Sequence, residues 1–463
     1  MPDPLDAGTD DPLAADRRVL VFGAAAMVAL ILVGGLSAAI FTRSACGRIA
    51  PDPVLPRAAG DDVEAVVGDG LADLFDDERE TLLAWLSSPE VTGHLGPVVA
   101  AADVTGAERL VPAADGLVAA TGATTTLFDP ASGDVHETAT FGDGVVVGDG
   151  DTLYSLALTN RMTGQTDAIV PLDRSLEGGE CHDTATVGTP LAFLLEAGDG
   201  ELLLFRSDED GDTPLVELRD ADRRRVWSTP LQTPHIPPGV TGERLAAGMD
   251  DDTVVVARRF DADDEMPALS GFDRTSGEER WTTPLAALDE VAPTGDGAVW
   301  VEVVAVDGDT ALLAIARDDA RDAAVLIAVD TADGAVRWVA DATPGRPLAA
   351  AITADAVTVV AMTGDGFEAV RLDHGDGSAI GTAGTPIEGD GQRPDRGGVA
   401  ELPGGTLAVA GTGVVYFGGD EVTALGYDPA VAAQVVDVVT VDDVTMLLIA
   451  SDDGAVAVAY DPS

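Results

Sequence analysis

The chain has 463 residues, 46% of them apolar and only 4% aromatic, and a formal net charge of -55 from 81 acidic and 26 basic residues, every basic one an arginine. A surface this acidic repels phosphate backbones and anionic headgroups, which excludes nucleic acid as a partner. With so few rings the core must be built from Val, Ala and Leu, which suits tightly stacked sheets. Self-repulsion of this size is screened within about 3 Å at molar salt, so the composition fits a halophilic, acidic proteome.

Residues 1–18 form an acidic tail, followed by an uncharged apolar run over 19–41 that includes Val28, Leu30, Ile31, Leu32, Val33 and Leu36. At about 1.5 Å per residue such a run spans a hydrocarbon layer of roughly 30 Å as one helix. Arg17 and Arg18 stand on one side and Arg43 and Arg48 on the other, so arginine counting leaves orientation nearly tied. The short tail and large downstream region favour a single-pass signal anchor in the cell membrane, with the bulk of the chain on the extracytoplasmic side. A cleaved signal peptide, using Ser37 and Ala39, is the alternative, although the run is longer than a usual signal core. Arg43 stands where a lipobox would carry an aliphatic residue, which argues against lipid attachment at Cys46.

Residues 42–94 read as a stalk, with a Pro-, Asp- and Gly-rich linker over 49–70. A helix is expected over about 72–88, with Leu74, Phe75, Leu82, Trp85 and Leu86 near one face and Asp76, Asp77 and Glu78 in its first turns, where negative charge suits the helix dipole. Pro89 ends it. The apolar face is expected to pack on the wall of the following domain; a partner-binding helix is the alternative.

From 95 to 463 the chain repeats. Turns at Asp115-Gly116, Asp149-Gly150, Asp199-Gly200, Asp251-Asp252, Asp307-Gly308, Asp355, Gly404-Gly405 and Asp442-Asp443 recur at an average spacing of about 47 residues, each followed by a short Val/Leu/Ala run. A second signature follows each run: FDPASGDV from Phe128, LDRSLEGGE from Leu172, LRDADRRRVW from Leu218, FDRTSGEERW from Phe272, VDTADGAVRW from Val329, LDHGDGSAI from Leu372, YDPAVAAQV from Tyr427 and YDPS from Tyr460. An apolar residue, an Asp to accept turn N–H groups and a Gly or Asp for the tight reversal specify a hairpin. Trp227, Trp281 and Trp338 fall at one offset on the strand that follows, placed to wedge between neighbouring sheets.

The apolar-Asp, x-x-x-Gly-Glu, Trp pattern of FDRTSGEERW and VDTADGAVRW resembles the pyrroloquinoline-quinone (PQQ) repeat of quinoprotein-dehydrogenase-like propellers, over about residues 107–463. The resemblance implies an all-β, eight-bladed (alternatively seven-bladed) β-propeller. That family includes quinone-dependent alcohol dehydrogenases and non-catalytic members such as the propeller lipoprotein of outer-membrane protein assembly. The final copy, YDPS, stops before its last strand, and a closed ring needs one. The run 96–104 is the candidate to supply it.

Chemistry is sparsely signalled. The dehydrogenases of that family use a vicinal disulfide and a calcium ion, whereas the two cysteines here, Cys46 and Cys181, are far apart. In an oxidising compartment they can pair and staple the stalk to the ring; equally they stand as two unrelated thiols. Cys181 beside His182 falls short of a metal site. The acidic runs 208–212 and 261–265 resemble calcium loops superficially, but the first has Thr213 and Arg219 where such a loop needs Gly and Glu. Both read as exposed inter-strand loops, so no cofactor is expected and only weak calcium binding stays open. His94, His136, His182, His235 and His374 lie in different repeats, with no nucleophile motif beside them. The trio Arg223, Arg224 and Arg225 reads as charge balance in a hairpin. The irregular loops 232–242 and 381–398 are natural recognition surfaces for an envelope or membrane protein partner. The expectation is a non-catalytic binding, scaffold or sensor module; the alternative is a quinone-dependent oxidoreductase working in the propeller channel.

Overall fold

The computed structural model describes residue 49 and residues 51–462, apart from 56, 142–143, 150–151, 161–164, 174, 180, 184–191, 199, 208–213, 223, 232–244, 259–268, 284–298, 318–323, 341–344, 364–365, 387–395, 420 and 428–430. The apolar run 19–41, Cys46, Arg223, His235, the loop 232–242, the two acidic runs and residues 387–395 therefore lie outside the described residues, while 381–386, expected as part of an irregular loop, are strand because they pair with Gly366–Asp373. No described helix is long and apolar enough to cross a membrane.

Successive antiparallel sheets form eight blades: 107–140, 144–183, 192–230, 245–283, 299–339, 346–386, 398–424, and a last blade built from 434–460 together with β3 (Val98–Asp103). Blades 2 and 3 share one continuous sheet through a short pairing at Gln165–Phe193 and Thr166–Ala192. The first strand of each blade touches the first strand of the next all the way around, from Ala107–Ala113 to Gln434–Val441 and back, so the ring is closed with eight blades rather than seven. Closure runs through both ends of the chain: β3 pairs with Ala455–Tyr460, Val98 opposite Tyr460 and Asp103 opposite Val456. The strand expected at 96–104 is thus the one that completes the last blade.

The repeated sequence makes the blades by local chemistry. In the hairpins, Asp129, Asp173, Asp220, Asp273, Asp330 and Asp373 each turn Oδ1 back to accept N–H groups of the reversal, for example Ser276 N–H at 2.8 Å and Ala332 N–H at 2.8 Å. The glycine ending the turn takes a left-handed φ, 68° at Gly277 and 73° at Gly334, which only a residue without Cβ adopts cheaply. The signature at Tyr427 departs from this scheme. Blade 7 turns tightly between Gly413–Gly418 and Glu421–Ala424, and Tyr427 lies in the connection to blade 8, where its hydroxyl donates to Ala433 O at 2.7 Å. YDPAVAAQV imitates the hairpin only in its first two letters.

The blades are fastened in two ways. From blade 3 to blade 6, each tryptophan donates its indole N–H to the carbonyl behind the next hairpin's Asp: Trp227 to Arg274 O (2.5 Å), Trp281 to Thr331 O (2.5 Å) and Trp338 to His374 O (2.8 Å). The ring lies flat on the next blade's glycine, and a Cβ at Gly277, Gly334 or Gly377 would collide with it. Thr229 and Thr283 add bonds to Gly277 O and Gly334 O. In blade 2 the same offset, nine residues past the apolar residue that opens the signature, is held by Cys181, and Cys181 is disulfide-bonded. The only other cysteine in the sequence is Cys46.

The second fastening is the N-terminal segment, which lies along the ring where a stand-off linker is expected. Ile49 is fully buried between blades 1 and 2, and Ser155 Oγ donates to its carbonyl. β1 (Asp52–Pro53) then pairs with the outermost strand of blade 1, and β2 (Ala59–Gly60) pairs with β3 at the outside of blade 8. Three helices follow. α1 (Val63–Gly70) starts at Asp62, whose side chain accepts Ala65 N–H. α2 (Asp76–Leu86) replaces the single helix expected over 72–88, and α3 (Pro89–Leu95) starts at Ser88 with Pro89 in its first turn. Leu82, Trp85, Leu86, Val91 and Leu95 enter one core with Leu425, Tyr427, Val431 and Tyr460 of blades 7 and 8. Trp85 stacks at 4.7 Å on Tyr427 and donates to Leu425 O, doing between blades 7 and 8 what the repeat tryptophans do elsewhere.

Candidate functional site

A propeller offers three places for chemistry: the central channel, the two faces, and the rim. The first strands line the channel, and those of blades 1, 3, 5, 6 and 8 each carry a β-bulge, at Glu108, Leu195, Val304, Leu348 and Val436. Charge gathers at one arc of this lining, where blades 7, 8 and 1 meet. Arg396 donates through Nη2 to Glu108 Oε2 at 2.8 Å and through Nη1 to Glu108 O at 3.1 Å. Asp437 Oδ2 accepts Leu110 N–H at 2.8 Å. Burial pushes the Asp437 carboxyl above the ordinary carboxylate range, while the Leu110 N–H and the charges of Arg109 and Arg396 pull the other way. These four residues were not singled out from sequence, because neither their spacing nor their type forms a motif; blade closure alone brings them together.

Their chemistry is structural. The Arg396–Glu108 pair joins the start of blade 7 to blade 1, and the Leu110 N–H bond to Asp437 joins blade 1 to blade 8. The sequence has no adjacent cysteine pair and one asparagine, and among the described residues no three His, Cys, Asp or Glu side chains come together as a metal site.

The sequence-marked histidines are dispersed. His374 Nε2 sits 2.8 Å from Thr310 Oγ1 and its Nδ1 3.1 Å from Ala354 O, beside the Arg337 pairs to Asp309 and Asp330, so it ties blade 5 to blade 6. Thr310 is fully buried and is no nucleophile. His94 stacks at 4.3 Å on Tyr416 beside a cleft of about 470 Å³ edged by Pro97, Pro403 and Pro462. Arg224 pairs with the exposed Asp222 at 3.1 Å, the charge balance expected of that trio.

The face carrying the first turns and the hairpins is crowded with carboxylates, among them Asp115, Asp252, Asp355, Asp442 and Asp443 on turns and Asp273, Asp330 and Asp373 on hairpins. Several are held in the charged form. The Ser276 N–H and the Arg280 guanidinium bring Asp273 down to about 2, and Arg337 lowers both Asp309 and Asp330.

Fold and repeat together define an eight-bladed β-propeller whose repeats resemble the PQQ-like kind. Residues 211–386 match the family described as outer membrane protein assembly factor BamB. No curated protein matches the chain. Among solved structures, the computationally designed Ika8 protein aligns at 13% identity and TM-score 0.51, over 77% of this chain and 96% of that one. BamB from Moraxella catarrhalis aligns at 12% identity and TM-score 0.46, over 78% and 99%. A quinohemoprotein alcohol dehydrogenase from Pseudomonas putida aligns at 12% and 0.46, over 77% and 76%. At these identities the likeness is one of fold.

Proposed function

We propose that the protein is a non-catalytic binding propeller of the cell envelope, anchored through residues 19–41, that presents its acidic face and rim to another envelope protein. The observation that carries this reading is the channel arc: Arg396, Glu108 and Asp437 are engaged with the ring's own groups across three blades, which gives these charged side chains a structural task. The disulfide at Cys181 supports an oxidising compartment outside the cytoplasm. The match to an assembly-factor family supports protein binding as the task. The net charge of -55 selects a partner surface that is basic or salt-bridged by cations. Chemical cross-linking of native membranes followed by mass spectrometry tests the reading, with one stoichiometric envelope partner as the expected result. A quinone absorbance band and dye-linked alcohol oxidation after reconstitution with PQQ and calcium would overturn it.

A further inference from the structure

The outermost strand of each blade is a sheet edge, and an edge that is long, flat and uncharged pairs readily with foreign strands. Most edges here are blunted. Arg225–Pro230 carries an arginine and ends in proline, and Glu279–Thr283 opens with Glu279 and Arg280. Val336–Val339 and Glu421–Ala424 are four residues each, with Arg337 in one and Glu421 in the other. The outer strands of blades 1 and 8 are covered by the chain itself, through β1 and β2.

Blade 6 is the exception. Its outer strand, Ala379–Pro386, runs eight residues without a charge, and proline comes only at its last position. Among the described residues no strand pairs with its outer side, where the sheet ends. Ile380 is 44% exposed on it, and Val422 of the neighbouring blade, 37% exposed, lies against Gly381. Acidic groups frame the strip: Asp373 and Asp376 at the hairpin before it and Glu421 beside Val422, with Asp376 held in its charged form by Ser378.

We propose that Ala379–Pro386 is a β-augmentation site that takes an extended segment of a partner protein in which apolar residues alternate with arginine or lysine. The backbone of the visiting segment supplies the ladder hydrogen bonds, its apolar side chains meet Ile380 and Val422, and its cations meet the acidic frame. Charge complementarity selects this occupant over a second copy, because two copies would bring two charges of -55 together. The chain's own strap shows that this ring accepts short added strands at its outer edges. The proposal rests on the binding reading above and narrows it to one edge and one class of partner.

The test uses the full chain in detergent and a labelled decapeptide of alternating valine and arginine, with a second peptide whose alternate backbone nitrogens are methylated. Binding is followed by fluorescence anisotropy at about 1 M salt, where charge alone is screened within about 3 Å, and by hydrogen exchange. The expected result is binding with amide protection confined to 379–386, at least a tenfold loss on methylation, and a fivefold or greater loss in Ile380→Lys with an unchanged melting temperature. Equal binding of both peptides, or protection at another edge, overturns the proposal. So does a dimer of the chain alone that Ile380→Lys dissolves, since the strand would then belong to a second copy. A native partner cross-linked elsewhere on the ring would also overturn it, while leaving the binding reading in place.

Discussion

Blades 3 to 6 and blades 7, 8, 1 and 2 solve the same problem by opposite means. In the first arc each sheet is fastened to the next by a tryptophan that its own repeat encodes, a few residues from the hairpin it serves. In the second arc the wedges are absent and the N-terminal segment does the fastening, with Ile49, β1, β2 and the Trp85 helix laid from blade 2 backwards to blade 7. A repeat can thus lose its docking residue where another stretch of chain crosses the same seam. The cost is that half of the ring depends on contacts distant in sequence, 340 residues apart for Trp85 and Leu425.

The largest expected effects come from removing one fastener of each kind. Trp281→Ala and Trp85→Ala should each cost about 3–5 kcal/mol, read from chemical denaturation. Hydrogen exchange then separates them: the first should loosen Glu279–Thr283 and the blade 5 hairpin, the second α2 and the connection through Tyr427. If both loosen the whole ring alike, the two arcs are not independent. Reducing the disulfide at Cys181 should cost about 2–4 kcal/mol, with exchange rising first around Ile49 and β1. Protection there that survives reduction would place the anchoring in Ile49 alone. Gly334→Ala combines a φ of 73° with a collision against the Trp281 ring and should cost about 1–3 kcal/mol, lowering the melting temperature.

The smallest expected effect is acid dependence. Asp273 titrates at about 2 in the folded protein, against about 3.9 in an unfolded chain, so its stabilisation is complete above the unfolded value and fades as pH falls through about 2. Asp330 and Asp309 shift in the same direction. Asp437 runs the other way: its raised pKa means that the folded state takes up a proton first, which favours folding as pH falls through that value. Asp437→Asn, with Oδ1 left to accept Leu110 N–H, should abolish this uptake in a pH titration of stability and leave the acid loss at the hairpins.

The legible part of the fold is the part written locally. The turns named by their Asp and Gly residues fall, where those residues are described, at strand reversals, and six hairpin aspartates do what their position implies, because each device is complete within ten residues. The signature at Tyr427 misled because an apolar-Asp-Pro start says nothing of what the rest of the turn will bond. The strap was illegible for a different reason. β1 and β2 are two residues each and owe their pairing to an edge supplied by a distant blade, so no periodicity announces them. The channel arc shares that origin: Arg396 and Glu108 meet across 288 residues, and only closure of the circle makes them neighbours.

The pairing of Val98–Asp103 with Ala455–Tyr460 also sets an order of events in synthesis. A strand made early pairs on one side with β2 and waits for its blade 8 neighbour until residues 455–460 have been made. Seven blades can therefore form while an alanine- and valine-rich edge stays open, and a pause or truncation near the end would leave that edge bare. Emergence of residues 455–460, rather than assembly of any earlier blade, is the moment at which that edge becomes safe from sticking to its neighbours.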